Sequence, residues 1–150
     1  MPYVTLSDRM KINLLSHLKK NIIMAFRTWK LYEYPILPAT SRHVWPIKTS
    51  NQLEKPRFIL LAFQTNRKNQ NNKNASRFDN CNIRNVKLFL NSQYYPYSDL
   101  NLNIPEGQYS MLYSMFAKFQ SSYYHKDPKP MLDKQSFIDN VSIIIIDCSK

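Results

Sequence analysis

The residues with the most reactive side chains in this sequence are two cysteines and three histidines, and they lie far apart. Cys81 and Cys148 form no CxxC pair, and none of His17, His43 and His125 has a cysteine near it in the sequence. Structural zinc sites group closely spaced Cys and His ligands, and a nucleophilic enzyme places a base beside its nucleophile. The spacing therefore predicts idle or buried thiols rather than a disulfide, no metal site, no catalytic residue and no enzymatic activity.

The glycine content argues against nucleotide chemistry. Gly107 is the only glycine among the 150 residues, whereas a Walker loop and a GxGxxG turn each need more than one. Neither a GxSxG nor an HExxH motif occurs. We therefore expect no cofactor.

Positive charge is the feature of the composition that most suggests a partner. The formal net charge is +11, and residues 1–87 hold 16 Lys and Arg against 4 Asp and Glu, while residues 88–150 hold 5 against 6. A basic surface of this kind attracts nucleic acid or an acidic partner. Because the basic residues are spread singly, a solvated basic surface is the simpler interpretation, and a surface that faces a polyanion is the alternative.

The segment Asn66–Asn74 contains only Asn, Gln, Lys and Arg, which predicts a surface loop because it has no apolar side chain to bury. Cations in and after this loop are candidates for weak, non-specific contacts with nucleic acid, and a solvated loop tip is the alternative. These candidate polyanion contacts are Arg67, Lys68, Lys73 and Arg77.

Apolar spacing and capping residues predict three helices. The first spans Leu6–Leu18, the second Glu106–Tyr124 with Pro105 at its start, and the third Asp133–Asp139. The second helix has an aromatic stripe, for which packing in a core is preferred and stacking on nucleic-acid bases is the alternative. The residues expected to pack it are Tyr109, Leu112, Phe116 and Phe119.

Four strands are predicted from short apolar or alternating runs. They are Ile22–Trp29, Arg57–Thr65, Cys81–Leu90 with a bulge, and Val141–Ile146. The last three are expected to be strands of antiparallel sheet. A proline-rich, extended connection is expected from Pro35 to Pro56, without long regular elements but with a short one around Val44–Lys48. A chain of 150 residues can bury one core, so we expect a single domain over residues 1–150.

Four stretches carry a resemblance to a known family. They are FRTWKLYEYP (residues 26–35), TSNQLEKPRF (residues 49–58), AFQTNRKN (residues 62–69) and KLFLNSQYYPY (residues 87–97). The chain resembles the double jelly roll-like domain proteins of insect genomes, which are similar to the major capsid proteins of Maverick/Polinton elements and adintoviruses. The likeness covers nearly the whole chain.

The resemblance implies a mainly β fold with helical insertions, a jelly-roll sandwich that forms an incomplete second jelly roll and continues beyond Lys150. It implies a structural, capsid-type subunit that self-associates as a trimeric capsomer. A basic nucleic-acid-binding module is the alternative function. The candidate subunit contacts are aromatic residues, for which ordinary core roles are the alternative: Trp29, Tyr32, Tyr34 and Trp45.

The first residues of the chain and its apolar runs indicate where the protein is located. Met1-Pro2-Tyr3-Val4 is not a basic-then-apolar leader, and the purest apolar runs are only strand-sized. We therefore expect a protein that is neither secreted nor membrane-spanning, located in a virion or inside a cell.

Overall fold

The computed structural model of the protein describes residues 5–18, 26–48, 56–67 and 69–149. The chain divides into two compact units, residues 1–50 and residues 51–150. Among the described residues, the first unit has one helix, and the second has two helices and four short strands. The expectation of a single domain stays a prediction.

Helix α1 of the first unit spans Asp8–Leu18. It begins after Ser7, whose carbonyl accepts a hydrogen bond from the Lys11 N–H at 2.9 Å. The Asp8 carboxylate lies in the first turn, where it accepts from Lys11 Nζ at 3.2 Å and interacts favourably with the positive end of the helix dipole. The predicted helix Leu6–Leu18 is confirmed, with its start at Asp8.

Residues 26–48 of the first unit form no helix or strand. The predicted strand Ile22–Trp29 is therefore wrong over residues 26–29, and its residues 22–25 lie outside the described residues. A strand needs a partner for its backbone groups, and no described segment forms a ladder with residues 26–29. The expected absence of long regular elements is confirmed over residues 35–48, although the short element expected at Val44–Lys48 does not form.

Strands β1 (Phe58–Leu61) and β4 (Ile144–Asp147) of the second unit pair antiparallel. Ile59 lies opposite Ile146, and Leu61 lies opposite Ile144. These strands confirm the predictions at 57–65 and 141–146 in type and direction, with shorter bounds. β1 ends early because the chain beyond it bonds elsewhere, with the Phe63 carbonyl accepting from the Asp79 N–H at 2.8 Å.

Strands β2 (Leu88–Leu90) and β3 (Gln93–Tyr95) form a separate antiparallel hairpin. Its turn residues, Asn91 and Ser92, both have positive φ (50° and 63°), which matches the twist of a tight hairpin. The predicted strand Cys81–Leu90 is thus correct only at its end.

The first part of that predicted strand, residues 81–86, is irregular because asparagine side chains bind the backbone there. Asn80 Oδ1 accepts from the Asn82 N–H at 3.0 Å, and Cys81 and Asn82 have positive φ (49° and 45°). Asn85 Oδ1 accepts from the Leu100 N–H at 3.1 Å. The bond between Asn80 and Asn82 is local, and such bonds compete with a sheet ladder.

Helix α2 spans Ser110–Tyr124 and begins four residues later than predicted. Pro105 and Gly107 instead belong to a turn, in which the Gly107 N–H donates to the Ile104 carbonyl at 3.0 Å. Pro is favoured at the second position of such a turn and Gly at the fourth. Gly107 has φ +72°, and Asn103 bridges to Gln108 across the turn.

Helix α3 spans Lys134–Asn140, close to the predicted Asp133–Asp139. Asp133 is its N-cap, because Oδ1 accepts from the Ser136 N–H at 3.0 Å. The hydrogen bonds with Ser136 lower the pKa of the Asp133 carboxyl.

The core of the second unit lies between α2, α3 and the β1–β4 ladder. Phe137 of α3 is fully buried, and its ring centroid lies 4.7 Å from that of Phe116. Phe119 packs edge-on against Phe58 at 5.1 Å. The predicted core role of the α2 stripe is therefore confirmed. The cluster of buried residues comprises Leu100, Leu102, Leu112, Phe137, Ile138, Ile144, Ile146 and Cys148.

The balance of secondary structure differs from the expectation. Among the described residues, helices cover more of the chain than strands do, and the strands form two separate two-stranded sheets. The helical insertions are confirmed, whereas a mainly β architecture is not shown by these residues. The turn around Asn80 is the physical reason why β2 is shorter than the predicted strand.

Candidate interaction surfaces

The carboxylate of Asp79 holds the base of the Asn66–Asn74 loop. It accepts from the Thr65 N–H at 2.7 Å and from the Arg67 guanidinium at 2.6 Å (Nη2) and 3.3 Å (Nε). Its hydrogen bonds from Arg67 are the main reason why the pKa of the Asp79 carboxyl lies below its ordinary value of 3.8. Because these side chains are only 18% (Arg67) and 28% (Asp79) exposed, the pair is a partly buried structural contact.

The other candidate polyanion contacts also have acceptors within the protein. Lys73 Nζ donates to the Asn66 carbonyl at 3.0 Å. The Arg77 guanidinium donates to Asn140 Oδ1 through Nε at 2.8 Å and through Nη2. Lys68 lies outside the described residues. Phosphate would have to compete with these acceptors, and contact with a polyanion stays a prediction.

Two of the four candidate subunit contacts lie together in the first unit. The Tyr34 ring contacts those of Trp45 and His43 edge-on, with centroids 5.5 Å and 4.8 Å apart. Trp29 and Tyr32 lie along the same irregular stretch. Trp29 is 57% exposed, Tyr32 and Tyr34 are each 39% exposed, and Trp45 is half-buried. Their role as subunit contacts stays a prediction.

The stretch that carries these aromatic residues, residues 26–48, is called here the apolar segment. Several further large apolar side chains in it are exposed, Leu31 at 94% and Phe26 at 84%. Large apolar groups exposed within one short region are typical of interaction sites. The other exposed apolar side chains of this segment are Ile36, Leu37, Val44 and Ile47.

A second exposed aromatic surface, which sequence reasoning missed, lies on the β2–β3 hairpin. Phe89 and Tyr94 are opposite each other in the ladder, and their ring centroids are 4.9 Å apart. We call this pair the aromatic platform. The sequence signal was available, because the alternation that places Leu88 and Leu90 on the core face leaves Phe89 on the other face.

An apolar hollow of about 410 Å³ lies between α2 and residues 130–132. Phe116, Phe119 and Leu132 line its inner side. Tyr124 and Met131 also line the hollow, and they are 58% and 94% exposed. Nothing in this hollow supplies a charged group to orient a ligand.

Cys81 and Cys148 form no disulfide, and Cys148 is buried in the core while Cys81 is exposed. Partial desolvation is the main cause that raises the pKa of the Cys81 thiol, which disfavours the nucleophilic thiolate. Across residues 5–18, 26–48, 56–67 and 69–149, no three His, Cys, Asp or Glu side chains form a group that could hold a metal ion. No helix within these ranges is long and apolar enough to cross a membrane.

Comparison with known proteins gives one match. The family model of the double jelly roll-like domain matches residues 1–150, which include both units. No curated protein and no solved structure matches the chain. The double jelly roll-like domain is characteristic of viral capsid proteins, a class that is generally non-enzymatic.

Proposed function

The chain belongs to the double jelly roll-like domain family, and from this membership we propose that it is a capsid-type structural subunit without catalytic activity. The family match over residues 1–150 is the observation that carries the proposal. It supports a structural role in general terms. The finer proposal is a subunit related to the major capsid proteins of Maverick/Polinton elements and adintoviruses, which would reside in a virion.

The second unit supplies what a jelly-roll subunit needs for rigidity. β4 is buried over Ile144, Ile145 and Ile146, and β1 pairs with it along four residues. Jelly-roll domains bury such strands between two sheets. We propose that this ladder belongs to one sheet of the jelly roll and that α2 and α3 are helical insertions packed on it.

The first unit supplies the surface for self-association. The apolar segment exposes Trp29, Tyr32 and Tyr34 beside aliphatic residues. Tyr and Trp are enriched in protein interfaces, where their burial contributes much of the binding free energy. We propose that copies of the chain contact one another through this segment and form trimers.

Light scattering coupled to size-exclusion chromatography tests this proposal. The wild-type chain should elute with three times its monomer mass of 17.9 kDa. Replacing Trp29, Tyr32, Tyr34 and Trp45 together by serine should give a monomer. The thermal unfolding of the second unit should be retained in that variant, because its core residues are unchanged.

Met131→Ser is the matched control, because Met131 is 94% exposed and lies in the second unit. This variant should remain trimeric. A wild-type protein that is monomeric at every concentration would contradict the proposal, as would a fourfold serine variant that associates like the wild type.

A further inference from the structure

The β2–β3 hairpin has one face on the core and the other in solvent. Leu88, Leu90 and Tyr95 pack against the core cluster. Phe89 and Tyr94 alternate to the opposite face and are 61% and 56% exposed. Two large aromatic side chains opposite each other on an exposed face gain little from burial within the protein, so their rings remain available to a ligand.

A lysine is fixed beside these rings. Lys87 Nζ lies 5.7 Å from the centroid of the Tyr94 ring and 2.8 Å from Asp99 Oδ1. Asn85 Nδ2 donates to the same carboxylate at 2.8 Å, and these hydrogen bonds, the one from Lys87 foremost, lower the pKa of Asp99. The Lys87 side chain is still 33% exposed. An ammonium group is therefore held at the edge of the aromatic platform, where a phosphate would share it with the Asp99 carboxylate.

The charge of the surroundings favours an anionic ligand. Arg84 is exposed three residues before Lys87, and the chain as a whole carries a net charge of +11. A polyanion is attracted to a surface with this charge.

Among polyanions, single-stranded nucleic acid fits both features of the face. Its unpaired bases offer flat surfaces that stack on aromatic rings, and its phosphates pair with lysine. A duplex keeps its bases stacked inside and presents mainly phosphate to a protein. The aromatic platform would then contribute nothing to duplex binding.

We propose that the outer face of the β2–β3 hairpin binds single-stranded nucleic acid, with Phe89 and Tyr94 stacking on bases and Lys87 contacting phosphate. Binding here is tolerant of sequence, because rings and an ammonium group do not read base edges. The site goes beyond the structural role proposed above and does not depend on self-association through the apolar segment.

Fluorescence anisotropy with a labelled oligothymidylate of roughly 12 nucleotides, a length within the usual range for such sites, tests the proposal on the 150-residue chain. The double variant Phe89→Leu/Tyr94→Leu keeps apolar bulk but removes both rings, and its affinity should fall at least about tenfold. The double variant Phe89→Tyr/Tyr94→Phe keeps both rings and should bind like the wild type.

Two further variants test whether binding depends on the aromatic platform and Lys87 rather than on other exposed side chains. Tyr124→Leu removes an aromatic ring that is 58% exposed on α2, and it should leave affinity unchanged. Lys87→Gln should lower the slope of log affinity against log salt concentration by about one, as expected for one lost phosphate contact. Thermal unfolding of each variant checks that the hairpin is folded.

Three results would overturn the proposal. The first is equal affinity of the wild type and the leucine double variant for the oligothymidylate. The second is equal affinity of the wild type for single strands and for a duplex of the same length. The third is a leucine double variant that keeps its affinity but loses its oligomeric state, because that result would identify the face as a protein interface.

Discussion

The second unit of the chain buries a cluster of large apolar side chains, whereas the apolar segment of the first unit leaves most of its own exposed. In the second unit, Phe137 is fully buried and Leu112 is 1% exposed. In the apolar segment of the first unit, Phe26 and Leu31 are 84% and 94% exposed. Aromatic and aliphatic content alone therefore does not decide which part of this chain builds a core.

The two regions differ in whether segments that are distant in the sequence pair or pack with one another. In the second unit, β1 pairs with β4 across most of the unit, and α2 and α3 bury the ladder between them and the loops. The apolar segment contains Pro35, Pro38 and Pro46, which lack the N–H that a ladder needs. Most of its large apolar side chains are consequently left exposed.

The largest expected effect is the loss of the Phe137 ring. Phe137→Ala removes a fully buried side chain that packs on Phe116 and Tyr113, and it should lower the free energy of unfolding by about 3–5 kcal/mol. Leu31→Ala, at a 94% exposed position, should change it by less than about 0.5 kcal/mol. Urea denaturation of both variants measures this difference. Equal losses of free energy of unfolding would show that the two regions do not differ in this way.

A buried hydroxyl of the second unit should have the next largest effect. Ser142 is 2% exposed, and its Oγ donates to the Ile138 carbonyl at 2.7 Å. Ser142→Ala leaves that carbonyl without this donor, and it should lower the free energy of unfolding by about 1–2 kcal/mol. Ser110→Ala, at an exposed position on α2, is the matched control and should be near neutral. A neutral Ser142→Ala would show that the end of α3 is less tightly packed than described.

The Asp79–Arg67 pair should make the second unit sensitive to acid. Because the pKa of Asp79 is lowered in the folded protein, its ionised form stabilises the fold above its ordinary value of 3.8, and this contribution is lost as pH falls through the lowered pKa. Asp79→Asn should cost about 1 kcal/mol at pH 6, after allowance for solvent screening.

The difference between wild type and Asp79→Asn should shrink as the pH is lowered from 6 to 2, measured by urea denaturation at each pH. Asp127→Asn, at an exposed position, is the control. A difference in free energy of unfolding that stays constant over this range would show that the Asp79–Arg67 pair does not cause the acid sensitivity.

The smallest expected effect concerns the first unit. Lys11 and Asp8 form an ion pair on α1 with side chains 59% and 94% exposed, so solvent screens it strongly. Lys11→Gln should change the stability of α1 by less than about 0.5 kcal/mol. Circular dichroism at 222 nm, with and without added salt, checks this. A large loss of helicity would show that the first unit depends on this pair.

The sequence predicts the elements that depend on local pattern. The short apolar runs predicted β1 and β4. The helical spacing of the aromatic residues predicted α2. The start of α2 was misjudged because Pro105 fits both a helix start and a turn, and only the bond between Gly107 and Ile104 decides between them.

Features that depend on contacts between distant residues were not predictable. Arg67 was predicted as a polyanion contact, but it pairs with Asp79 twelve residues away, which no periodicity indicates. The irregular backbone at Cys81–Val86 likewise depends in part on Asn85, whose Oδ1 accepts from the Leu100 N–H fifteen residues away. The alternation of the residues was correct for a strand, but these side-chain bonds competed with it.

Hydroxyl-radical footprinting at low and high protein concentration tests most directly whether the apolar segment joins copies of the chain. Our account predicts that oxidation of Trp29, Tyr34 and Trp45 falls several-fold as trimers form, while Met131, 94% exposed in the second unit, is oxidised equally at both concentrations. Equal oxidation of the three aromatic residues at concentrations where the chain is monomeric and trimeric would contradict it.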